Sequence, residues 1–373
     1  MIRNTDPPAA SSVSVPTDAI PTSNPALMGL EGLGYDDGFD ASFRAQRARF
    51  GPRAAVGRVL RVDRTSCQVA LESVELSLPV SRDLQRDPLE GPTTGDWVVV
   101  DAGEVVALLE RRTSVMRAGF RDLSAHVLAA NVDSVLVVSS LQTAFRPRRI
   151  ERLLVIAWQT GGLPVVVLTK SDCCEDVAAA LEQTAAVAPG VAVHAVSSVS
   201  GEGMEGLSAE LAPGTTAVMI GPSGTGKSTL ANYLSDGAAP LATNEVRSDG
   251  KGRHTTVTRE LVRLANGALL IDTPGLRAVG LWDAGDALGD AFSDLGALAL
   301  ECRFNDCAHA SEPGCAVQAA VAEGVLDPER LESFRRLERE QRRLEARNDA
   351  RLRAERRAEH RLFGKVVKKQ FHR

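Results

Sequence analysis

The chain has 373 residues, 44% hydrophobic and 24% charged, with a formal net charge of −5, the balance of an ordinary globular protein of two or three domains. That composition excludes collagenous, wholly disordered and disulfide-scaffold classes, and no apolar run approaches the roughly 18 residues of a membrane span. No basic segment followed by an apolar one opens the sequence, so a secretory leader is not expected and a cytoplasmic location is. The charge is uneven. From Arg330 to Arg373 there are 16 Lys and Arg against seven Asp and Glu, a net of +9, which leaves −14 for the rest. A basic appendage on an acidic body follows.

Residues 1–52 are rich in Pro, Ser, Ala and Gly and lack a periodic apolar pattern. They read as a disordered extension with one short helix near Ala41–Phe50. Residues 53–113 change character. Val56, Val59, Val62, Val69, Leu71, Val74, Leu76, Leu78 and Trp97–Val100 fall in short β-rich runs, with Gly57, Gly91, Gly95 and Gly103 as breaks. Short strands with frequent turns and little helix predict a small β-barrel, of the size of a five-stranded oligonucleotide-binding (OB) fold.

From residue 114 to 283 apolar strands alternate with helical stretches. The expected strands are Val135–Ser139, Val165–Thr169, Val193–Ser197, Ala217–Ile220 and Leu269–Asp272. Runs of Val, Ile and Leu suit a parallel sheet buried on both faces, and Arg148–Gln159 and Asp176–Val187 supply helical crossovers, so this is an α/β domain. Residues 284–330 read as a helical segment with a cysteine cluster, and 331–373 as a basic helical tail. Asp327-Pro328-Glu329 starts that helix with a capping acid, an early proline and a carboxylate at the positive dipole end.

The strongest motif is Gly221-Pro222-Ser223-Gly224-Thr225-Gly226-Lys227-Ser228, placed between a strand and a helix beginning near Thr229. Glycines let backbone N–H groups turn toward phosphate oxygens, Lys227 neutralises β- and γ-phosphate charge, and the Ser228 hydroxyl ligates Mg²⁺. The following helix aims its positive end at the phosphates. Asp272-Thr273-Pro274-Gly275 follows the last expected strand. Asp272 is placed to hold Mg²⁺ through water, and Gly275 to offer its N–H to a γ-phosphate.

The base is read by Thr169-Lys170-Ser171-Asp172. A carboxylate at Asp172 accepts two hydrogen bonds from guanine that adenine does not offer. The Lys170 stem can pack along the base. Ser197-Ser198 adds a backbone N–H for the guanine O6. Together these favour GTP over ATP.

The motif order is permuted. In an ordinary GTPase the phosphate loop comes first; here the guanine-reading segments precede it and Asp272–Gly275 comes last. In this ordered set, over residues 53–340, the chain resembles the circularly permuted, small-ribosomal-subunit-dependent GTPases of ribosome biogenesis. The resemblance implies three domains (OB barrel, permuted P-loop GTPase and helical zinc-binding domain) and a partner in the small (30S) ribosomal subunit and its rRNA. It also marks Gly250–Thr256 as the first switch, with Thr255 or Thr256 meeting Mg²⁺. Leu276 stands where many GTPases carry the water-orienting Gln, so His254 or a partner's residue is expected in that catalytic role. Thr169, where Asn is more usual, is expected to weaken the bracing of the loop.

Cys302, Cys307, His309 and Cys315 lie within 14 residues. Three thiolates and one imidazole suit a closed tetrahedral zinc site, and a segment this poor in apolar residues needs such a staple. The family's zinc spacing matches at all four. Cys67, Cys173 and Cys174 read as structural or incidental. The expected protein is a monomeric GTP hydrolase of late small-subunit maturation, binding GTP or GDP, Mg²⁺ and one Zn²⁺, stimulated by the subunit and kept off membranes. The rival readings are a GTPase of another assembly and an RNA-binding factor that uses GTP only as a sensor.

Overall fold

The computed structural model describes residues 29–85, 91–118, 125–142, 145–235, 259–272 and 286–346. Its first elements precede the expected barrel. A 3-10 turn (Leu30–Leu33) leads to α1 (Asp37–Arg47). The Asp36 carboxylate caps α1 by accepting the Gly38 and Phe39 N–H groups at 3.0 and 3.1 Å. Phe39 and Phe43, four apart and so on one face, are buried against Trp97, Val56, Val99 and Leu109. The short helix expected near Ala41–Phe50 is found over Asp37–Arg47, and residues 29–52 around it are ordered where the expectation was mostly disorder. Two aromatic residues at helical spacing suffice when a receiving surface already exists.

Five strands follow: β1 (Ala55–Val62), β2 (Ser66–Ala70), β3 (Glu75–Pro79), β4 (Trp97–Asp101) and β5 (Glu104–Leu108). The first half of β1 pairs with β4 and the second half with β2. β2 pairs with β3, β4 with β5, and a parallel bridge between Val80 and Val105 joins the ends. Pairing thus runs in a ring around a core of Val59, Cys67, Val69, Leu78, Val80, Val98, Val100 and Val105. Gly57, expected as a break, lies inside β1. A Cβ there would stand 2.5 Å from Val69 Cγ1, so glycine marks a close approach of packed strands.

A hairpin of β6 (Ser114–Ala118) and β7 (Ala125–Ala130) was not foreseen. Then come β8 (Ser134–Ser140), α2 (Pro147–Trp158), β9 (Leu163–Thr169), α3 (Val177–Val187), β10 (Ala192–Val196), α4 (Met204–Ala209), β11 (Thr216–Ile220), α5 (Lys227–Leu234), β12 (Glu260–Arg263) and β13 (Leu269–Asp272). The sheet order is β10-β9-β8-β11-β13-β12, and β12 continues into β1 through the pair Arg61–Glu260. β8, β9, β10, β11 and β13 are parallel neighbours and β12 is antiparallel.

Alternate residues divide between two apolar layers, as the period of a strand demands. Val135, Val137, Val166, Leu168, Val218 and Ile220 face α2 and α3, while Leu136, Val138, Val165, Val167, Ala217 and Met219 face α4 and α5. The first layer does not stop at the sheet. Residues of α6 (Ala287–Ala291), α7 (Ser293–Ala299), α8 (Ala316–Ala322) and α9 (residues 328–346) belong to the same cluster, including Phe292, Leu295, Val317, Leu331 and Leu337. The expected boundary between residues 330 and 331 falls inside α9.

Arg330 secures this packing. It is 2% exposed. Its guanidinium donates to Asp294, to buried Glu151 of α2 at 3.0 Å, and to the Val187 and Ala291 carbonyls, and it lies 4.5 Å from the Phe292 ring centroid. Arg58 performs the matching task between the β1–β5 strands and the parallel sheet. It is 2% exposed. It donates to the Leu33 carbonyl, to the Asn131 carbonyl at 3.1 Å and to Thr216 Oγ1 at 2.8 Å, with its face 5.2 Å from the Trp97 ring.

Candidate nucleotide site and metal centre

Because β8, β9, β10, β11 and β13 are parallel, their carboxyl ends open on one edge. The chain runs outward from β8 through β9 to β10 and then returns to β11 on the other side of β8. The crevice at such a reversal is where open α/β sheets bind ligands. It receives the phosphate loop after β11, the Thr169–Asp172 segment at the end of β9 and the Ser197-Ser198 turn after β10.

The phosphate loop approaches β8 so closely that only glycine fits at its head. Gly221 has φ +148°, and a Cβ there would lie 2.2 Å from the Val138 carbonyl oxygen. Gly226 caps α5 in the left-handed region. Lys227 Nζ donates to the Gly221 and Pro222 carbonyls at 2.8 and 2.7 Å, so the ammonium is held at the rim of its own loop. Thr225 is buried and its hydroxyl donates to Pro222 O at 2.9 Å. Ser223 and Gly224 are exposed at the tip, and Ser228 and Thr229 form the first turn of α5.

The expected weakness at Thr169 is corrected. Thr169 is buried, and its hydroxyl reaches Thr225 O at 2.5 Å and Ser139 O at 3.2 Å. A threonine is long enough to brace the phosphate loop because β8 alone separates β9 from β11.

Asp172 is exposed in a 3-10 turn (Ser171–Cys173). The Ser197 hydroxyl, and behind it the Cys173 thiol, hold its carboxyl below the usual carboxylate range. The same Ser197 oxygen accepts the Val199 and Ser200 N–H groups at 3.2 Å each. Ser197 is fully buried, so one hydroxyl shapes the β10 turn and orders the acid expected to read the base. The Ser197 N–H is itself bonded to Glu202 O at 3.0 Å. Of the expected pair, the Ser197 amide is therefore already taken.

Asp272 closes β13 beside β11. His254, Thr255, Thr256, Gly275 and Leu276 lie outside the described residues. One contributor escaped the sequence reading. Gln142, just beyond β8, accepts a hydrogen bond from Lys170 Nζ at 2.7 Å. It belongs to no motif, and only the strand order brings it here.

The four expected metal ligands converge. Their ligand atoms all lie within 4.8 Å of one another. His309 Nδ1 is 3.6 Å from both Cys302 Sγ and Cys315 Sγ, and those sulfurs are 3.9 Å apart. Zinc bonds of about 2.3 Å to sulfur and 2.0–2.1 Å to nitrogen give tetrahedral edges of about 3.8 and 3.6 Å, so the donor set fits a zinc ion. The surrounding bonds hold the knuckle in shape. Gln318 and Arg335 both donate to the His309 carbonyl. Glu312, also missed in the sequence, accepts the Ala308, Ala310 and Ser311 N–H groups at 3.0, 2.8 and 3.0 Å.

A phosphate loop at the strand reversal, with base-reading segments that precede it in the chain, defines a circularly permuted P-loop GTPase. The comparisons agree. The model of the RsgA GTPase family matches residues 108–282. The Streptomyces coelicolor protein named small ribosomal subunit biogenesis GTPase RsgA is 45% identical over 348 residues, 91% of this chain and 94% of that one. A namesake from Xanthomonas campestris is 44% identical over 296 residues, 77% of this chain and 80% of its own. The crystal structure of YjeQ from Thermotoga maritima superposes with a TM-score of 0.60 at 24% identity, covering 77% of this chain and 98% of that one. That of YloQ, reported as a circularly permuted GTPase, gives 0.58 at 23% over 78% and 96%. The two structures share the fold. The chain belongs to the RsgA GTPase family, and it is a GTP hydrolase.

Proposed function

We propose that this GTPase acts in late maturation of the small (30S) ribosomal subunit in the cytoplasm, as a monomer that binds rRNA and is stimulated by the subunit. The observation that carries the reading is the convergence of Thr169–Asp172, Ser197-Ser198 and Gly221–Ser228 on one sheet edge in permuted order, together with the name its relatives bear. The ring of pairings among β1 to β5, completed by the parallel Val80–Val105 bridge, supports reading it as an oligonucleotide-binding barrel, a type that binds RNA. The +9 segment from Arg330 onward adds phosphate contacts, and binding weakens with salt as counterions are released.

In the site, Asp172 takes the guanine N1–H and N2–H₂ and Ser198 offers its N–H to O6. The glycine-rich backbone from Gly221 to Gly226 wraps the phosphates. Lys227 exchanges its Gly221 and Pro222 carbonyl partners for β- and γ-phosphate oxygens. Ser228 and Asp272, with Thr255 or Thr256, would hold Mg²⁺, which would offset the charge that develops on the phosphates. His254 orients the attacking water. Cys302, Cys307, His309 and Cys315 hold a structural zinc that stiffens the segment between α7 and α8.

The test is single-turnover hydrolysis of GTP by the purified chain, alone and with small or large subunits. Stimulation of at least tenfold by small subunits is expected. Equal stimulation by large subunits points to another assembly, and absence of turnover in all three points to a nucleotide sensor. His254→Ala is expected to abolish the stimulated turnover while nucleotide still binds.

A further inference from the structure

The carboxyl end of β8 lies between the guanine loop and the phosphate loop because β8 stands between β9 and β11. Its backbone is secured there. Ser140 pairs with Thr169, and the Leu141 N–H donates to Thr169 O at 2.9 Å. The Gln142 N–H then donates to the Ser140 hydroxyl at 3.3 Å. From this anchored backbone the Gln142 side-chain oxygen accepts Lys170 Nζ at 2.7 Å, and the same ammonium donates to Gly224 O at 3.1 Å. Lys170 has φ +60°, a conformation that residues with a Cβ keep only where surroundings enforce it. The lysine is therefore fixed at its backbone and at its tip.

We propose that Gln142 is a positioning residue of the guanine site. Its side-chain oxygen holds the Lys170 ammonium, so that the aliphatic stem spans from the end of β9 to the phosphate loop as a ready-made surface for the base. The proposal rests on reading Thr169–Asp172 as the guanine-binding segment. A flexible lysine otherwise loses its rotamer freedom at the moment of binding. A stem ordered beforehand avoids that loss, and the gain appears as affinity. Gln142 is exposed, so replacing it leaves the core packing untouched.

The experiment titrates the full chain with fluorescent GDP, using Gln142→Leu, Gln142→Glu, Lys170→Met and the Lys170→Met/Gln142→Leu double variant. Loss of one such hydrogen bond weakens GDP binding by about three- to tenfold in Gln142→Leu. Gln142→Glu keeps an acceptor and retains affinity within about twofold. On the Lys170→Met background, Gln142→Leu adds no further loss, because the two residues act through one contact. Parental affinity in Gln142→Leu overturns the proposal, as does a full additional loss in the double variant. Asp172→Asn, titrated with GDP and xanthosine diphosphate, tests the underlying reading. A switch of preference to xanthosine diphosphate upholds it, and an unchanged preference for GDP overturns it together with the role of Gln142.

Discussion

Thr169 reaches across the end of β8 to place its hydroxyl 2.5 Å from the Thr225 carbonyl oxygen. Residues 56 apart in the chain thus join the segment after β9 to the glycine-rich loop after β11. The hydroxyl has one proton, and the shorter contact takes it. Thr169→Val keeps the shape and removes the donor. Calorimetric titration with GDP should show affinity lower by about fivefold, the worth of about 1 kcal/mol. Thr169→Asn, which restores a donor, should recover most of it. A valine variant that binds GDP like the parent would remove Thr169 from the brace.

Arg330 and Glu151 form the buried ion pair between α9 and α2, at 3.0 Å with side-chain exposures of 3% and 0%. Glu151 also pairs with Arg148 at 2.7 Å. Removing Arg330 leaves Glu151 with Arg148 alone and the Val187 and Ala291 carbonyls without their donor, at about 3–5 kcal/mol. Urea denaturation of Arg330→Ala should show a loss of that order. Arg342→Ala, on the exposed side of α9 and paired to Glu338 at 2.7 Å, should change stability by less than about 1 kcal/mol.

Asp36 carries the pH dependence of the N-terminal helix. The Arg112 guanidinium, with the Phe39 and Gly38 N–H groups behind it, lowers its carboxyl to about 2 from 3.8. A depressed folded pKa stabilises at pH above the unfolded value, and that stability is lost as pH falls toward the folded one. Hydrogen exchange across Asp37–Arg47 should therefore be uniformly slow above pH 5 and accelerate between about pH 4 and 2, after correction for intrinsic rates. Asp36→Asn keeps a cap but not the ion pair, and should lose the difference between the two ranges. With half the side chain in water, the effect is small and diminishes with salt.

The metal centre predicts thiol behaviour. The purified protein should carry one zinc per chain. Cys173 is exposed, Cys174 half-buried and Cys67 buried, so a thiol reagent should first titrate Cys173 and more slowly Cys174. Chelation should release Cys302, Cys307 and Cys315 together and lower the melting temperature, since ligand binding and folding are linked. Cys302→Ser should abolish zinc uptake. Full uptake by that variant would exclude Cys302 as a ligand.

Some of the site was legible because its chemistry is local. The phosphate loop occupies eight consecutive residues and the metal ligands fourteen, and both spacings carry their own physical reason. The contributions of Gln142, Ser197 and Thr169 were not legible in the same way. Each acts on a residue of another strand end, and a glutamine after a strand has no distinctive pattern. The short N-terminal helix was legible to within a few residues of its bounds, but its docking was not. Phe39 and Phe43 are too few to form a core alone, and the surface that receives them is centred on Trp97, more than 50 residues later.

The sequence by itself determined the motif order, the nucleotide chemistry and the metal ligands. Residue type sets which atoms a side chain can offer, and close spacing sets which of them can meet. Tertiary structure alone decided that the helices around the metal centre share one apolar layer with the GTPase sheet and are pinned to it by Arg330. It also decided that β12 joins the parallel sheet to β1. Those outcomes depend on which strands become neighbours, and parallel strands are paired through crossovers whose ends lie far apart in the chain. The −5 of the whole chain describes neither part. Its acidic body and basic end meet at α9, where Arg330 is buried against the sheet layer and Arg336, Arg339, Arg342 and Arg343 are exposed.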